Sequence, residues 1–136
     1  MKKFLGIILV LSMFMLAGCS GEKTEKKAPY IEGVGFDEIY RTYKENELRA
    51  DDTYQHNRYR ITAKINGMET GGLFNMTGGA TLTMEKKVGN TIVFFYAEFE
   101  KEQEENLKTV NVGDTITFEG ECLSAGSWIE CEIITE

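Results

Sequence analysis

The side chains with the widest chemical reach in this 136-residue chain are three cysteines and a single histidine. Thiols can be acylated, oxidised in pairs or used as metal ligands, so their spacing decides which chemistry is open. Cys19 stands apart from the other two. It follows Leu16-Ala17-Gly18, which end an apolar segment over residues 4–16 that begins just after Lys2 and Lys3. That segment is too short to span a bilayer comfortably; a positive start, a short apolar run and small residues before a cut are the marks of an export leader. Residues 1–18 therefore read as a signal peptide, and Cys122 and Cys131 are the thiols left for the folded part. An exported chain permits them to pair without requiring it. His56 has no second histidine or cysteine at ligand spacing and reads as a surface loop residue. One histidine leaves little room for a Ser/His/Asp set, and no Gly-x-Ser-x-Gly, His-Glu-x-x-His, phosphate loop or calcium loop is present. The chemistry read from the residues is not that of an enzyme, and it calls for no metal and no cofactor.

Leu16-Ala17-Gly18-Cys19 closely resembles the lipobox of bacterial lipoproteins. The resemblance implies that the Cys19 thiol carries a diacylglyceryl group, that cleavage falls just before it, and that the new amino terminus is acylated, typically with palmitate. Two or more acyl chains anchor stably where one is marginal. The expected place is a cell membrane, lipid-anchored and facing outside the cytoplasm. An outer membrane stays open for a cell that has two, since Ser20 does not resemble the inner-membrane retention signal. Residues 20–29 are polar, mixed in charge and hold the only proline, so 19–33 read as the lipidated cysteine with a flexible tether. Residues 34–136 then form one domain.

The elements that must position any site follow from periodicity. Phe36, Ile39, Tyr40, Tyr43, Ala50 and Tyr54 keep helical spacing, which predicts one amphipathic helix with Asp37 and Glu38 at its positive end. After Asn57 the period becomes two, with Tyr59, Ile61, Ala63 and Ile65 on one face. A glycine-bracketed loop is expected over 67–79, then strands over 80–87 and 91–99 joined by a hairpin turn at Val88-Gly89-Asn90. A short helix is expected beyond Phe99, its acidic stretch a solvated face, followed by strands over 115–122 and 128–135. Five strands of this length must close or sandwich to hide their edges. The fold expected is mainly β: a five-stranded OB-type Greek-key barrel with an N-terminal helix and a short helix between strands 3 and 4.

The stretch Asn46-x3-Ala50-x3-Tyr54, then residues 58–65, and later Val112-Gly113-Asp114-Thr115-Ile116-Thr117-Phe118-Glu119-Gly120, resembles the tRNA-anticodon-binding-like OB-fold family. Many of its members are short bacterial lipoproteins. The resemblance spans roughly residues 36–136 and implies a fold; it carries over no catalytic residue.

Within that fold, Cys122 and Cys131 lie on adjacent strands. A two-residue turn at Gly126-Ser127 sets them opposite each other as a disulfide, whereas a four-residue turn over 124–127 sets Cys122 against Ile129; two packed thiols are the alternative to a bridge. Strand 3 has apolar residues on both faces, Val93, Phe95, Ala97 and Phe99 on one and Ile92, Phe94 and Tyr96 on the other. In OB barrels the face of strands 2 and 3 and the loops joining strands 1–2 and 4–5 take ligands. Phe74, Phe94, Tyr96 and Trp128 are thus the candidate ligand-binding residues, while the plainer reading has the N-terminal helix covering that outer face with Phe36, Tyr40 and Tyr43. Glu119, Glu121, Glu130 and Glu132 alternate outward on neighbouring strands, where like charges repel.

The functional expectation is a non-catalytic binding or adaptor module for a protein segment or a cell-envelope glycan. A single-stranded nucleic-acid binder is a second reading, opposed by a net charge of −7 that becomes more negative once Lys2 and Lys3 are gone. A structural or stress-protective envelope protein with no defined ligand is a third.

Overall fold

A computed structural model describes residues 27–71 and 79–135. The leader, the lipidation candidate Cys19 and the ligand candidate Phe74 lie outside the described residues. Five strands form a closed barrel in the order β1-β2-β3-β5-β4: β1 Arg58–Thr70, β2 Ala80–Val88, β3 Thr91–Phe99, β4 Thr115–Ser124 and β5 Ser127–Ile133. All neighbours are antiparallel except β3 and β5, which run parallel. This is an OB-type barrel, as the alternation predicts.

Each strand sends one set of side chains inward. Tyr59, Ile61, Ala63 and Ile65 of β1 meet Leu82 and Met84 of β2, Phe95 and Phe99 of β3 and Phe118 of β4 in one continuous core. The β2–β3 turn is the two-residue Gly89-Asn90, with Gly89 at φ +61, a backbone state that glycine adopts without Cβ strain. A 3-10 turn at Lys101–Gln103 and the short α3, Glu104–Leu107, connect β3 to β4. They add Leu107 to the core, and the Gln103 side-chain oxygen accepts from the Ile133 amide at 3.1 Å.

The single N-terminal helix expected is two, α1 Phe36–Glu45 and α2 Glu47–Tyr54. The break is at Asn46, whose extended backbone (φ −161, ψ 98) leaves helical space while its side-chain oxygen accepts from the Arg49 amide at 3.0 Å, capping α2. The apolar spacing runs through the break because both helices bury the same side, Phe36 and Ile39 from α1 and Ala50 and Tyr54 from α2. β1 also outlasts expectation. It continues through Gly67 to Thr70, with a register shift between Ile65 and Gly67 where the strand bends.

Residues 27–33, expected to belong to a free tether, lie on the barrel. The Ile31 amide bonds the Arg58 carbonyl at 2.8 Å, and the Lys27 ammonium pairs with Glu100 at 2.9 Å and Glu132 at 3.0 Å. Arg60 stacks its guanidinium on the Tyr30 ring, 4.2 Å from the centroid.

β4 and β5 meet through two irregularities. Ser124 pairs with Ser127 around an Ala125-Gly126 turn, a shift at Leu123 sets Cys122 opposite Trp128, and a second shift lets Gly120 face both Glu130 and Cys131. Glu130 takes φ +49, and the buried Arg58 guanidinium donates to its carbonyl at 3.0 Å and to that of Glu119 at 3.4 Å. The Cys131 sulfur fills the space over Gly120: a Cβ there would sit 2.7 Å from it. Gly120→Ala is therefore expected to lower stability by about 1–3 kcal/mol. Combining it with Cys131→Ala should cost less than the sum of the two, measured as a double-mutant cycle in urea.

Candidate functional site

The outer face of β3 carries Ile92, Phe94 and Tyr96 at 56%, 55% and 58% exposure. Large apolar side chains at three successive outward positions of one strand are uncommon on a surface that covers nothing. Their neighbours across β2 are Lys87, Glu85 and Thr83 respectively, and Glu85 is drawn toward Lys64 of β1 at 3.9 Å. The stripe is therefore flanked by polar side chains along β2. At its far end the Tyr96 amide donates to the Gly126 carbonyl at 3.0 Å, placing the β4–β5 turn beside it. A shallow cleft of about 280 Å³ opens between that turn and the two N-terminal helices, lined by Tyr40, Tyr43, Lys44, Glu47 and residues 124–126.

Of the four expected ligand residues, Phe94 and Tyr96 share this face. Trp128 does not. Its side chain is fully buried, its ring is 6.3 Å from Phe36 and 6.1 Å from Tyr59, and its indole N–H donates to the Ala125 carbonyl at 3.2 Å. Alternation counted back from Cys131 puts Trp128 outside and Ile129 inside. The left-handed residue Glu130 inserts an extra step, so Trp128 and Cys131 both face inward.

The covering helix is also corrected. Phe36 stacks on Phe95 at 4.5 Å, inside the barrel end, and α1 leaves the Ile92–Phe94–Tyr96 face open. An aromatic side chain that enters the core at a barrel mouth removes more apolar surface from water than one laid over an outer wall.

Neither register weighed for Cys122, opposite Cys131 or against Ile129, is found, because the hairpin turns at Ala125-Gly126 and the shift at Leu123 sets Cys122 opposite Trp128. Both are free thiols with no exposed surface. Burial pushes the Cys122 thiol up to about 12 and moves Cys131 in the same direction. Tyr43 is raised too, by burial and then by its hydrogen bond to Asp51 at 2.9 Å, so its phenol stays a neutral donor.

Three of the four outward carboxylates are paired where repulsion was expected. Glu119 takes Arg60 at 2.7 Å, Glu121 takes His56 at 2.9 Å, and Glu132 takes Lys27 and Arg58. The partners come from β1, the segment ahead of it and the N-terminal stretch. His56 sits in the turn before β1 at φ +64 and is exposed. No cluster of His, Cys, Asp and Glu able to hold a metal occurs among the described residues, and none of their helices is long and apolar enough to cross a membrane. Arg58 escaped the sequence reading. It opens a strand whose charged residues otherwise face out, and the hint was its place beside inward Tyr59, with no alternation between them.

The barrel has a solved counterpart. A crystal structure of a lipoprotein from Klebsiella pneumoniae, whose given name proposes nucleic-acid binding, superposes with a TM-score of 0.54 at 10% identity, covering 74% of this chain and 89% of that one. At that identity the likeness is one of fold. No protein family matches the chain by its sequence profile, and no curated protein matches it.

Two measurements follow from this placement. Trp128→Ala should cost about 3–5 kcal/mol in urea unfolding, while Phe94→Ala and Tyr96→Ala should stay within about 0.5 kcal/mol of the parent. In the alkaline range the folded thiols remain protonated where unfolded ones ionise above about pH 8.5, so the native state holds more protons and stability falls as pH rises toward 12. The denaturant midpoint followed against pH should show this slope, and Cys122→Ala should flatten it.

Proposed function

We propose that this protein is a lipid-anchored, non-catalytic binding module that works outside the cytoplasm and takes its partner on the outer face of β3. The observation that carries the reading is the uncovered row Ile92, Phe94 and Tyr96. In OB barrels the face of strands 2 and 3 beside the loop joining strands 4 and 5 is where ligands lie, and this row occupies that place. Anchoring through Cys19 rests on the lipobox resemblance, and membership of the tRNA-anticodon-binding-like group rests on the motifs over 46–65 and 112–120.

A protein segment or envelope glycan suits the face best. Single-stranded nucleic acid is the second reading, favoured by two exposed aromatic rings on which bases could stack and by the name of the Klebsiella structure. The charge of −7 works against it, since phosphates are held chiefly by lysine and arginine.

A photo-crosslinking side chain at position 94, in the lipidated chain in its own membrane, tests the reading. One recurrent protein or glycan, lost when Tyr96 is replaced by alanine, is the expected result. Scattered background would remove the binding role. Capture of oligonucleotide, weakening steeply with salt, would move the assignment to nucleic acid.

A further inference from the structure

We infer that the edge of β3 over residues 91–95 accepts an extended peptide segment of a partner protein, which adds to the barrel as a short extra strand; this rests on the binding-module reading and names its partner class. β3 is paired with β2 along its whole length but meets β5 only from Tyr96 onward. Counting from the two-residue turn, Thr91, Val93 and Phe95 exchange hydrogen bonds with Val88, Lys86 and Met84, so the main-chain groups of Ile92, Phe94 and Tyr96 point away from β2. The Tyr96 amide, bonded to the Gly126 carbonyl, shows that direction. Among the described residues, the N–H and C=O groups of Ile92 and Phe94 have no hydrogen-bond partner.

An unpaired strand edge is a template for another chain, and proteins commonly guard it with a proline, a charge or a bulge. Residues 91–95 are Thr-Ile-Val-Phe-Phe, with none of these residue types. The β2–β3 register also runs from Ala80 and Phe99 to Val88 and Thr91 without a shift, whereas β1–β2, β3–β5 and β4–β5 are each interrupted. The β1–β4 register is likewise unshifted, so the open edge belongs to a strand held straight by an unbroken ladder.

The occupant follows from the shape and chemistry of the gap. Residues 91–95 span about 13 Å of extended chain, room for a segment of four or five residues. The Tyr96–Gly126 bond closes one end, and Gly126 also lines the cleft beside α1. A single extended chain fits there more readily than a second folded barrel, and two copies carrying −7 each repel. Nucleic acid can stack on Phe94 but supplies no regular main-chain ladder to the four open groups. Strand addition uses those groups for affinity, and alternate side chains for specificity. The incoming segment should place apolar side chains on the side that Phe94 and Tyr96 occupy.

The test selects a phage-displayed random heptapeptide library on the full chain held in detergent, then measures amide exchange at Ile92 and Phe94 by NMR with and without the enriched synthetic peptides. Protection of both amides by at least about tenfold is expected. N-methylation of alternate peptide amides should abolish binding, with the intervening positions tolerant. Ile92→Pro removes one outward N–H without breaking a bond to β2 and should weaken binding at least about tenfold; Phe94→Lys, on the solvent face, is the second variant should the first disturb folding. Peptide binding without protection, a non-alternating N-methyl scan, or no enrichment overturns strand addition. So does protection that grows with protein concentration alone, which assigns the edge to a second copy, and oligothymidine binding at Phe94 that leaves the amides exchanging. Position-94 crosslinking to a single partner with unprotected amides removes strand addition but keeps the binding face, whereas the absence of both removes both.

Discussion

The buried guanidinium of Arg58 is the constraint on which the β4–β5 wall depends. A cation with almost no exposed surface is tolerated only where polar partners surround it, and here the carbonyls of Glu119 and Glu130 and the carboxylate of Glu132 supply them. Those carbonyls converge because β5 steps out of register at Glu130. A left-handed non-glycine residue is unfavourable by itself, and the bond from Arg58 helps to hold it. Gly120 completes the arrangement, because the wall is too close at that point for any side chain but the Cys131 sulfur.

From that one step the character of the molecule follows. Trp128 turns inward and, with Phe36, Phe95 and Tyr59, fills one end of the barrel. The helices then have a mouth to plug, and α1 is drawn there through Phe36 rather than laid over the outer wall. What remains outside is the β3 row, exposed because the aromatic side chains that could have covered or extended it are committed to the core. The site and the core are two outcomes of a single choice of face.

Much of the architecture was legible in the residues. Period-two alternation and the Gly89-Asn90 turn placed β2 and β3 to within a residue and the start of β1, though not its run past Ile65, and the outward direction of Glu119 and Glu121 on β4 was read correctly. Phe94 and Tyr96 were legible for the same reason: regular alternation sorts the faces of a regular strand. Trp128 was not, because it depended on the phase of β5, where a one-residue irregularity reverses every assignment beyond it; the cysteine pair was not, because its register also depended on the turn position and on the extra residue Leu123 in β4. No residue type announces such a step when a glutamate rather than a glycine occupies the left-handed position. The helix break at Asn46 was hidden differently, since both helices bury the same side and the apolar spacing continues across it. Arg58 and Lys27 were missed because strand alternation and tether composition assign charged residues to solvent.

Lys27 gives the domain a fixed point of departure from its N-terminal segment. With its ammonium between Glu100 and Glu132, Lys27 ties the chain to the barrel wall beside the β3–β5 seam, ahead of α1. Cys19 is eight residues earlier in the sequence, a contour of at most roughly 28 Å. For a chain held by lipid at Cys19, that leash is comparable to the width of the barrel itself. Releasing Lys27 would lengthen it only as far as Tyr30 and Ile31, which Arg60 and the Arg58 carbonyl hold to β1. The ion pair would then act as a mechanical stop: tension from a bound partner would load the Lys27 contact before it reached the helices that close the core.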